Sequence, residues 1–93
     1  MSDAVKLRPE LAAFAEQMER ALRRKDDARG DSWRGESYDW LLARLLDEAT
    51  ELCAAIGKRP EAHERIEAEA VDVANFALFV ASVAARERAR RTK

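Results

Sequence analysis

Residues 40–56 read WLLARLLDEATELCAAI, and after a short turn residues 67–79 read EAEAVDVANFALF. In the first stretch Leu41, Leu42, Leu45, Leu46, Ala49, Leu52, Cys53 and Ile56 recur at helical spacing. At about 100° per residue they fill one arc, somewhat wider than a third of the circle. In the second stretch, Ala, Val, Leu and Phe ring nearly the full circumference between Ala68 and Ala85, so this helix is expected to be buried on most sides. Two long helices meeting at Gly57-Lys58-Arg59 decide the class: all-α.

Outward from this pair, Ser37 is a good N-cap for the helix containing Trp40, and Gly57 suits its C-terminal end. Pro60 is expected to open the third helix, which can run to about Arg90. Upstream, Pro9 starts a first helix whose apolar positions Leu11, Phe14, Ala15, Met18, Ala21 and Leu22 carry it to about Lys25. Asp26 to Glu36, broken by Gly30 and Gly35, reads as the one long loop. The charged tail after about residue 86 is expected to fray.

Residues 1–93 are therefore expected to form a single domain, a three-helix subunit. A chain of 93 residues buries only ~60–65% of its unfolded surface, and two neighbours cannot enclose an apolar third helix. An oligomeric helical bundle is expected, a homodimer or homotetramer with helix three central to the interface.

The formal charge is −1, from 17 basic and 18 acidic residues, so the balance does not call for nucleic acid. The Arg-rich tail has no interleaved aromatic residues, which argues the same way. Cys53 is the only cysteine, which excludes an intrachain disulfide and a Cys-based zinc site; it is expected as a buried thiol on an apolar face. The N-terminus has no apolar h-region, and the apolar run from Phe76 to Ala85 contains Ser82 and is too short for a bilayer. A soluble cytoplasmic protein without membrane contact is expected.

The informative feature is acidic. Glu69, Asp72 and Asn75, at i, i+3 and i+6, lie on one side of the apolar third helix. Glu48 and Glu51, at i and i+3, flank the apolar arc of helix two on the side that also holds Arg44 and Ala55. If the two helices pack antiparallel, four carboxylates converge in a partly dry cleft. Desolvation costs several kcal/mol per ion, and protonation or a bound cation relieves it. All-oxygen ligands favour a hard ion, Mg²⁺ or Mn²⁺, and Mg²⁺ commonly binds substrate phosphates as well. The competing reading is a non-catalytic interaction module that dimerises through helix three, its acids paired with arginines of a partner, for which Arg44, Arg65 and Arg86 are available. A di-iron bundle is excluded, because it needs Glu-x-x-His and Pro60 stands three residues before His63.

Asp47-Glu48-Ala49-Thr50-Glu51 followed by Glu69-Ala70-Val71-Asp72 resembles the paired acidic helices of the all-α NTP pyrophosphohydrolase superfamily, in its short, single-domain MazG-like type. Lys25-Asp26-Asp27, Gly30-Asp31-Ser32-Trp33 and Asp72-Val73-Ala74-Asn75-Phe76 extend the resemblance over roughly Met18 to Arg86. Two features depart from the pattern. Asp47 stands for its first Glu, and the helix and basic segment that longer relatives place near the phosphates are not expected among these residues.

The resemblance implies Mg²⁺-dependent hydrolysis of a nucleoside or deoxynucleoside triphosphate to the monophosphate and pyrophosphate. Glu48, Glu51, Glu69 and Asp72 would hold the metal, and Glu48 or Glu51 would take the proton of the water attacking the α-phosphorus. Lys25, with Arg34 or Arg29, would contact phosphates. Trp33 would stack on the base, and Asn75 would hydrogen-bond the sugar or a phosphate. Tyr38 and Trp40 are expected to pack at the start of helix two, and His63 to be solvated.

Overall fold

The computed structural model describes residues 4–29 and 32–91, with side chains for all of these but 27–29. In chain order the elements are α1 (Pro9–Arg29), a 3₁₀ turn (Ser32–Gly35), α2 (Tyr38–Gly57) and α3 (His63–Arg91). The described residues are helical or irregular, with no strand.

Local chemistry sets the boundaries. The Ser37 hydroxyl accepts a 3.1 Å hydrogen bond from the Trp40 amide and caps α2. α1 runs four residues past Lys25: the apolar period stops at Leu22, but no Gly or Pro stops the backbone before Gly30. The expected loop from Asp26 is therefore mostly helix and 3₁₀ turn, while Gly30 and Asp31 lie outside the described residues. Pro60 does not open α3. It sits in the turn, after a cis Arg59–Pro60 peptide, and the first bond of α3 runs from the Ile66 amide to the Ala62 carbonyl. The tail is helical as far as Arg91.

α2 and α3 form an antiparallel hairpin. Leu41, near the start of α2, is fully buried against Phe76, Phe79 and Val83 of α3, with Leu22, Trp33 and Leu45 packed around them. The stripe of α2 turned to α3 is Leu41, Leu45, Glu48, Leu52 and Ala55. α1 lies on another side of α3, where the Asn75 amide donates 3.3 Å to the Met18 carbonyl. The Trp33 ring stacks on Phe79 at 4.3 Å and 15°, tying the 3₁₀ turn to α3.

The radius of gyration is 15.4 Å, against about 12 Å for a compact domain of this length. Two apolar surfaces stay open. Ala77, Leu78, Ala81, Ala84 and Ala85 of α3 are exposed, so α1 and α2 do not enclose it. Leu42, Leu46, Cys53 and Ile56 of α2 are exposed too. This corrects the expected burial of Cys53: the apolar arc of α2 is wider than the face α3 covers. α3 also meets the length and composition of a membrane span, with an 18-residue window of mean hydropathy 1.5. The shorter apolar run Phe76–Ala85 understated it, because Val71, Val73 and the flanking alanines add to the window.

Candidate metal centre

One carboxylate oxygen from each of Glu48, Glu51 and Glu69 lies within 4.8 Å of the other two. The hairpin makes this cluster. Glu48 holds a core position of the α2 stripe between Leu45 and Leu52, so packing turns its carboxylate towards α3. Glu69 faces back from the first turns of α3, and Glu51 closes the cluster from the exposed rim. The side chains of Glu48 and Glu69 are 8% and 12% exposed.

Each buried glutamate has an arginine four residues earlier on its own helix. Arg44 Nη2 donates 3.1 Å to Glu48 Oε1, and Arg65 Nη2 lies 3.7 Å from Glu69 Oε1. Arg44 also reaches Asp47 at 3.2 Å, and its guanidinium lies 5.3 Å from the Phe76 ring centre. The second oxygens, Glu48 Oε2 and Glu69 Oε2, are buried and have no hydrogen-bond partner. A buried carboxylate oxygen left unpaired costs more than a neutral polar atom would, so these two mark the strained point of the fold.

Charge repulsion reports the same crowding. Burial first, then the hydrogen bond and charge of Glu51, then the Asp72 charge push Glu48 up to about 7, with Arg44 opposing. Glu69 is raised by burial, by Glu51 and by Asp72, with Arg65 opposing. The folded, ion-free chain therefore holds the Glu48 proton more tightly than the unfolded chain, whose value is about 4.5. The resulting stability is complete below about pH 4.5 and is lost as the pH rises through about 7. Thermal melts in chelator should fall by about 10–20 °C between pH 5 and pH 8, from about 2–3 kcal/mol. A melting point that rises over this interval would show that the acids are not crowded.

The expected convergence of four carboxylates is met by three. Asp72, one turn along α3, pairs with Lys25 Nζ at 3.8 Å and acts on the two buried glutamates through its charge. The donor set suits a hard cation.

Beside the cluster lies a cleft of about 330 Å³, lined by Lys25, Trp33, Trp40, Asp72, Asn75 and Phe76 among others. Asn75 is buried and presents an Oδ1 without a partner. Trp33 is half-buried, stacked on Phe79, and carries the Arg34 guanidinium 4.6 Å from its ring centre. Lys25 and Arg34 border the cleft, while the Arg29 side chain lies outside the described residues. Tyr38 and His63 are exposed.

Two groups escaped the sequence reading. Trp40, assigned to packing, both tilts against Phe76 at 6.5 Å and lines the cleft. Arg20 and Arg24 border a second hollow that shares Lys25 and Asp72. Their i, i+4 spacing in the run Arg20 to Lys25 was the available signal. Comparison with protein-family models, curated proteins and solved structures finds no match to this chain.

Proposed function

We propose that the chain is a Mg²⁺-dependent nucleoside or deoxynucleoside triphosphate pyrophosphohydrolase of the short MazG-like type. The observation that carries this reading is the pair of buried, unpartnered oxygens on Glu48 and Glu69, converging with Glu51 from two helices. Glu48, Glu51 and Glu69, with Asp72 alongside, would hold the cation. Mg²⁺ supplies charge neutralisation of a triphosphate and acidifies water, and Mn²⁺ can substitute.

Glu48 or Glu51, side by side in the cluster, would accept the proton of the water that attacks the α-phosphorus. Lys25, already beside Asp72, is placed to turn to the phosphates, with Arg34 at the cleft edge. The aromatic cleft suits a nucleobase. There Trp40, and Trp33 with its Arg34 guanidinium turned aside, would offer ring surface, and Asn75, which lines the cleft, would hydrogen-bond the sugar or a phosphate.

A homodimer or homotetramer is proposed, since the exposed apolar side of α3 needs a cover. A water-soluble cytoplasmic setting, with neither membrane nor nucleic acid as partner, fits a helix whose Val71, Phe76, Phe79 and Val83 form the subunit core. Standard and modified triphosphates, assayed with Mg²⁺ and with Mn²⁺, should release pyrophosphate and a monophosphate. Release of inorganic phosphate alone, or metal-independent turnover, would sink the reading.

One observation favours a second reading, a non-catalytic helical interaction module. Both buried glutamates are already paired with arginines, Arg44 and Arg65. Mg²⁺ separates the two. A true site saturated at about a hundred times its dissociation constant adds about 2.7 kcal/mol, which raises the melting point by about 10–20 °C. A structural ion-pair network gains nothing beyond the response to Na⁺ at equal ionic strength.

A further inference from the structure

We infer that α2 carries a self-association surface of its own, distinct from the open side of α3, through which two copies of this chain pair antiparallel. The inference does not depend on the enzyme reading.

The first observation is a spacing. Leu42, Leu46, Ala49, Cys53 and Ile56 follow steps of four, three, four and three residues, the heptad pattern of a helix that packs on another helix. The pattern is separate from the stripe already used inside the subunit. Leu41, Leu45, Glu48, Leu52 and Ala55 repeat the same steps one position earlier and face α3. α2 thus has two adjacent seams, one filled and one open. Leu42, Leu46 and Ile56 on the open seam are 51%, 57% and 40% exposed, although each is a large aliphatic side chain.

The second observation is charge, and it names the occupant and its direction. From Leu42 to Ile56 the seam positions carry no charge, so a two-fold axis brings no like charges together. The charges stand at the ends: Asp39 in the first turn, Lys58 and Arg59 just past the last. A parallel pair would set Asp39 against Asp39 and Lys58 against Lys58. An antiparallel pair sets the Asp39 end of each helix beside the Lys58–Arg59 end of the other, where the charges attract.

Side-chain size agrees with that direction. With the axis between Leu46 and Ala49, Leu46 meets the small Ala49 of the second copy, and Leu42 meets Cys53. Large faces small at both of these pairs, as interdigitation requires, while Ile56 meets the first turn of the second copy's helix at Asp39. A parallel pair would instead stack Leu46 on Leu46 and leave a gap at Ala49. An anionic lipid surface is the poorer occupant, because the polar positions of α2 outside its buried stripe carry Asp47 and Glu51, with Arg44 as the single basic residue rather than a basic belt.

The test uses the full chain and two variants. Leu46 is exposed, so Leu46→Asp leaves the subunit core untouched, and circular dichroism should keep its helical signal. In sedimentation equilibrium the wild-type particle should be a dimer or tetramer, and Leu46→Asp should halve its mass. For direction, a short bis-maleimide should cross-link a Leu46→Cys, Cys53→Ser double variant. It should not cross-link the wild-type chain through Cys53, because the two-fold axis holds the two Cys53 positions about 16 Å apart along the helices.

A wild-type monomer in the micromolar range would overturn the proposal, including one that co-floats with anionic phosphatidylglycerol vesicles. An unchanged particle mass for Leu46→Asp, or efficient cross-linking at Cys53, would also overturn it.

Discussion

Glu51→Gln is expected to lower Mg²⁺-dependent pyrophosphate release by about 10²–10⁴-fold, the range typical of losing a proton-accepting or charge-holding group. The same substitution should stabilise the chain in chelator at pH 7–8. Glu51 is a leading cause of the upward push on both buried glutamates, through its charge and its hydrogen bond. A glutamine keeps the shape and can donate to Glu48, while its missing charge relieves both neighbours.

Opposite signs follow: a higher melting point without Mg²⁺, and a smaller gain when it is added. A merely structural glutamate on an exposed rim would move neither. Asp72→Asn should also suppress turnover, and it additionally leaves Lys25 without its 3.8 Å partner. Unchanged turnover in either variant removes the site.

Phe79→Ala is expected to be the most damaging core change, at about 3–5 kcal/mol. A domain of this kind holds only about 5–15 kcal/mol in total, so the change removes a large share of the stability. Phe79 meets Phe76 edge-on at 5.2 Å, stacks on Trp33 at 4.3 Å and packs with Leu41 and Val83. Removing the ring leaves a cavity and also frees the 3₁₀ turn that forms one wall of the cleft. In a Trp40→Phe background, Trp33 fluorescence should shift to the red at denaturant concentrations where the parent is still folded. An unshifted spectrum with full stability would mean that the turn is held by other contacts.

The helical class was legible because its signals are local. The period of Leu41 to Ile56, the Ser37 cap and the glycine at position 57 act within a few residues. Ends set by tertiary contacts were read less well. α1 outlasts its apolar period by about two turns, and the chain from Lys58 to Ala62 turns before α3 begins. Cys53 shows the same limit, since periodicity marks an apolar arc and does not say how much of it a neighbour will cover.

The acids divide along that line. Their spacing alone placed Glu48 and Glu51 on α2 and Glu69 and Asp72 on α3, because i, i+3 positions share a helix side. Only the packed hairpin decided that three of them meet, that Arg44 and Arg65 take one oxygen each, and that Asp72 turns to Lys25. The reason is range. Backbone periodicity follows from the helix geometry of each segment. A contact between side chains on different helices depends on crossing angle, register and rotamer, which are set by the whole core at once.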